Sequence, residues 1–131
     1  LVLISKGANM KAPDLGTLSM SQVLAAVRKY LYNGYGPHCS NRSLYICYAV
    51  EGVQVMDVGV TPNSSILLQL RKEDLYHYID KLLEGHGNLG SWLLKYHPHL
   101  AQNGLFNTVK LQATRLAWVD WMIADLKSKG L

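Results

Sequence analysis

This sequence predicts an all-α protein, a compact bundle of about five helices. Three observations carry that prediction. Four segments repeat apolar residues at helical spacing, several of them open on a capping residue or close on glycine, and only residues 44–60 offer a credible strand pattern. A chain of 131 residues is the size of one domain. We read residues 1–18 as a flexible tail and 19–131 as a single helical domain. A start at Met10 would make residues 1–9 an expression remnant.

The first helix opens on Ser19-Met20-Ser21-Gln22, a capping box in which Ser19 accepts from a first-turn N–H and Gln22 reaches back. Met20, Val23, Leu24, Val27, Tyr30 and Leu31 then line one face, and Asn33-Gly34 ends the helix. Arg28, Lys29 and Tyr32 fall on the opposite, wet face.

Two readings compete for residues 44–60. A buried helix, capped near Ser40 or Asn41, explains the unbroken apolar run and the closing Gly52. A β-hairpin turning at Glu51-Gly52 explains the Tyr, Ile and Val content. The helix is favoured, because an isolated hairpin in a helical domain has no sheet to join.

Asn63 or Ser64 can cap the next helix, whose apolar face is Leu68, Leu75, Tyr76, Ile79, Leu82 and Leu83 up to Gly85. Asn88 can cap a short helix from Leu89 to Tyr96, stopped by Pro98. Residues 97–107 read as a polar loop. The last helix starts at Asn107 or Thr108, with Val109, Ala113, Leu116, Val119, Ile123 and Leu126 as its main stripe. Trp118 and Trp121 either border the core or, in the sharper reading, one of them joins Arg115 as an interface anchor.

Charge is uneven along the chain. Residues 1–50 hold five basic side chains against Asp14 alone, whereas residues 51–131 balance. Attraction to an anionic partner would therefore come from the first half. There Arg28, Lys29, Tyr32, Tyr35, His38 and Arg42 combine basic and aromatic character, which suits a protein interface or phosphate contacts with base stacking. We take these six as the expected partner-binding surface, with Arg115 and Trp121 as secondary candidates. The alternative is that most of the nearby tyrosines are core.

No catalytic constellation is expected. Glu73, Asp74, Asp80 and Glu84 read as a solvated helix face, no nucleophile elbow is present, and Gly85-His86-Gly87 lacks the lysine of a phosphate loop. His97-Pro98-His99 could chelate a metal only with further ligands, and His86 is the one nearby candidate. Cys39 and Cys47 have no metal spacing and read as free thiols. We expect no metal and no cofactor. The apolar Leu1–Ile4 run is too short for a signal core or a membrane span, so the expected compartment is the cytoplasm.

One pattern goes beyond these local readings. Leu82-Leu83-Glu84-Gly85, Leu89-Gly90-Ser91-Trp92-Leu93 and Leu111–Ile123 together resemble small, mostly uncharacterised accessory proteins of tailed bacteriophages, over roughly residues 42–129. The resemblance implies a non-enzymatic protein that binds and disables a host protein or nucleoprotein complex in the bacterial cytoplasm, CRISPR effectors among them. A small basic nucleic-acid-binding regulator is the second expectation, and an enzyme with an unrecognised site the third.

Overall fold

The computed structural model describes residues 18–33, 42–59, 64–86, 89–101 and 108–131, with side chains of a few helix-end residues excepted. Among them are α1 (Met20–Asn33), α2 (Arg42–Gly52), α3 (Val55–Val58), α4 (Ser64–Leu82), α5 (Leu89–Tyr96), a 3-10 turn (Pro98–Ala101) and α6 (Thr108–Ser128). No strand occurs among the described residues. The hairpin alternative for residues 44–60 is thus corrected to two helices. Ile46, Ala49 and Val50 of α2 are fully buried, a spacing that only a helix brings to one face. Val53, at the junction with α3, is buried with them.

α1 is the hub, packing on α6, α2, α4 and α3. Its capping box forms as expected: the Ser19 N–H donates to Gln22 Oε1 at 2.7 Å, and the Gln22 N–H donates to Ser19 Oγ at 3.1 Å. Val23, Leu24, Val27 and Leu31 have no exposed surface. Burial of such a side chain contributes about 1.5–3 kcal/mol. Leu18, assigned to the tail from sequence, is itself buried, and its carbonyl accepts from Arg71 Nε at 3.0 Å. The domain therefore begins at least one residue before the helix cap.

α6 runs along α1 and buries Thr114, Arg115, Trp118, Val119, Met122 and Leu126. This face is rotated from the expected stripe. Leu116 and Ile123 are only partly covered and Ala113 is exposed. The apolar residues of the helix are spread around its circumference, so the inward side is set by what α1 presents to it. α6 ends in a Schellman turn. Gly130 takes φ +75°, its N–H donates to the Lys127 carbonyl at 3.0 Å, and the Leu131 N–H donates to the Leu126 carbonyl at 2.8 Å. The Leu131 carbonyl then accepts from the Ser21 N–H at 3.2 Å, so the end of α6 satisfies a first-turn donor of α1.

α2 meets α1 where Gly52 abuts Tyr30. A Cβ at Gly52 would lie 3.0 Å from the Tyr30 ring, so the missing side chain sets how closely the two helices approach. α2 is joined to α4 through Glu51: Lys72 Nζ donates to its carbonyl at 3.3 Å and the Tyr76 hydroxyl donates to its carboxylate. No described helix is long and apolar enough to cross a membrane.

Candidate functional site

The short α5 organises a region where rings and titratable groups gather. α4 closes with a turn in which the His86 N–H donates to the Leu83 carbonyl at 2.9 Å, carrying His86 toward α5. Trp92 and Tyr96 stand four residues apart on α5 and so share a face. The His97 N–H still donates to the Leu93 carbonyl at 2.8 Å, and the Leu100 N–H donates to the His97 carbonyl at 2.9 Å. Pro98 cannot continue an α-helix ladder, so the chain tightens into the 3-10 turn, which packs against both α5 and α6.

That turn places His97 between two indoles. Its ring centroid lies 4.9 Å from Trp92 and 4.7 Å from Trp121, and His99 meets it edge-on at 5.7 Å. Trp92 also contacts Trp121 at 5.4 Å, Trp118 at 6.2 Å and Tyr96 at 6.0 Å, and His86 sits edge-on to Tyr96 at 5.2 Å. Such tilted and edge-to-face pairs contribute beyond the area they bury. Burial lowers the His97 imidazole below its ordinary value and His99 adds to the effect, which favours the neutral ring. The polar loop expected for residues 97–107 is, at its start, a wall of this cluster.

Outside the stack an open cleft of about 450 Å³ is lined by Lys81, Leu82, Glu84, His86, Trp92, Tyr96 and His97. Of the lining rings Trp92 is 4% exposed and Tyr96 51% exposed. Lys95 places its ammonium 5.3 Å over the Tyr96 ring. The His97 and His99 ring planes cross at 79°. Among the described residues no three His, Cys, Asp or Glu side chains are grouped to hold a metal ion.

Of the residues expected from sequence to bind a partner, Arg28, Lys29, Arg115 and Trp121 have side chains among the described residues. Lys29 is exposed on α1. Arg28 is not on a free wet face: its guanidinium pairs with Asp120 of α6, Nε to Oδ1 at 2.5 Å and Nη2 to Oδ2 at 3.2 Å. Tyr35 and His38 lie outside the described residues, as do the side chains of Tyr32 and Arg42. Arg115 is corrected outright. It is fully buried, so it cannot be a surface anchor; on its helix it lies three residues before Trp118, on the side turned to the core. Trp121 is half-covered and does belong to the ring cluster.

The nucleophile candidates that remain are quiet. Cys47 is a free thiol, pushed up to about 11 by burial and by the Asp80 and Glu51 carboxylates. Burial and a hydrogen bond to Glu51 raise the Tyr76 phenol, and burial and a hydrogen bond to Asp125 raise that of Tyr78.

Sequence reasoning missed Trp92, Tyr96 and His86 as members of one site. The four-residue spacing of Trp92 and Tyr96 was a usable signal, whereas the arrival of Trp121 from α6 was not. No protein family, curated protein or solved structure shows a significant match to the chain.

Proposed function

We propose that this is a non-enzymatic binding protein whose contact surface centres on the cleft beside α5. One observation carries the reading: an open cleft lined by a tryptophan, a tyrosine, two histidines and a leucine, with a single lysine and a single glutamate. Interfaces concentrate their energy in a few aromatic anchors set in pockets, and Trp and Tyr lead that set. The quiet thiol and phenols supply no activated nucleophile that would favour an enzyme. The partner class we propose is a host protein or nucleoprotein complex, as the resemblance to phage accessory proteins implies. Nucleic acid alone is the weaker reading, because the cleft lining carries no excess of positive charge.

The test is capture from bacterial lysate on the tagged protein, with and without nuclease, followed by mass spectrometry. A protein complex retained after nuclease treatment and lost in Tyr96→Ala supports the proposal. Capture abolished by nuclease assigns the protein to nucleic-acid binding. Capture indifferent to Tyr96→Ala and to His86→Ala moves the surface elsewhere, with Lys29 on α1 next in line.

A further inference from the structure

We draw no further inference here: the strongest candidate, the exposed apolar pair Ile66 and Leu70 one turn apart on α4, carries nothing because nothing in the structure shows what covers it.

Discussion

The α1–α6 seam and the α5 end are built from the same kinds of residue and put them to opposite use. Along the seam, Val23, Leu24, Val27 and Leu31 meet Trp118, Val119, Met122 and Leu126, all within one fully buried cluster. Some of its polar groups sit at the edges, the Arg28–Asp120 pair outside and the Leu131 carbonyl on the Ser21 N–H at one end, while Thr114 and Arg115 of α6 are buried. At the α5 end, buried Trp92 and partly covered Trp121 are stacked with an imidazole, Tyr96 is exposed, and a cleft opens beside them. The difference teaches what each region resists. The seam is held mainly by the packing of apolar side chains. The α5 end includes a ring whose own charge can change in mild acid, so its stability responds there.

The largest effect that would break this contrast lies at Trp118. The indole has no exposed surface, and its N–H finds no acceptor among the described residues. The ring is therefore held by packing, including Trp92 at 6.2 Å. Trp118→Ala should cost about 3–5 kcal/mol, with the loss visible as a steep drop in the thermal midpoint. Trp118→Phe should cost far less, since no hydrogen bond is surrendered and most of the ring area stays. Equal losses for the two substitutions would show that the N–H, not the packing, matters.

A smaller effect is expected where α4 meets the end of α6. The Tyr78 hydroxyl donates to Asp125 Oδ2 at 2.7 Å, and Lys129 Nζ donates to the same oxygen at 2.8 Å. Tyr78→Phe should cost about 1.5 kcal/mol in urea unfolding, the range for a hydrogen bond to a charged group. Burial by itself would raise the Asp125 carboxyl, but the hydrogen bonds from Lys129 and Tyr78 and the Lys129 charge outweigh it and hold the group low. The folded state therefore binds this proton less readily than the unfolded chain. Its stabilisation is present above the ordinary value of 3.8 and is lost as pH falls below it. Tyr78→Phe should shrink that acid loss; an unchanged acid limb would place the dependence on another carboxylate.

The α5 end should respond at milder acidity. His97 is lowered from 6.5 by burial and by His99, so the unfolded chain takes up this proton at a higher pH than the folded one. Stability from the neutral ring is full above pH 6.5 and weakens as pH falls through that value. The groups around it are the indoles of Trp92 and Trp121, the imidazoles of His86 and His99, and the cleft charges Lys81 and Glu84. Tryptophan fluorescence should change over the same interval, since both contacting rings are indoles. His97→Phe should flatten stability and fluorescence between about pH 5 and 7. A titration curve identical to the parent would remove His97 as the source.

Most of the fold could be read from the sequence because its signals are local. The Ser19–Gln22 box, the Pro98 stop and the α1 face each depend on residues within a turn or two of one another. What was lost depends on distance in the chain. The apolar circumference of α6 gave no local reason to prefer Trp118 over Ile123 as the inward side, and the choice is made by what α1 presents to it. Arg115 looked like surface because arginine is rarely buried. The candidate site failed for the same reason. Trp92 and Tyr96 are neighbours on one helix, but His97 becomes part of their cluster only because Pro98 tightens the turn against Trp121. The charge asymmetry of the first half was real, yet sequence could not show that Arg28 already has an acidic partner 92 residues away.

That pair gives the smallest and most discriminating prediction. The side chains of Arg28 and Asp120 are 42% and 52% exposed, so solvent screens them well despite two contacts at 2.5 and 3.2 Å. Exposed pairs of this kind contribute roughly 0.2–1 kcal/mol. Arg28→Ala should therefore move stability by less than about 1 kcal/mol. Arg28→Glu sets two carboxylates together and should cost somewhat more than Arg28→Ala, and Asp120→Arg in the same chain should restore part of it. The coupling from this double-mutant cycle should shrink at 1 M salt, where screening acts over about 3 Å. A coupling well above 1 kcal/mol that ignores salt would mean the seam is held by charge as well as by shape, and the contrast with the α5 end would fail. Lys29→Glu, one residue away and exposed, should leave both stability and partner capture unchanged if the cleft is the contact surface. Lost capture in Lys29→Glu with an intact fold would return the interface to α1.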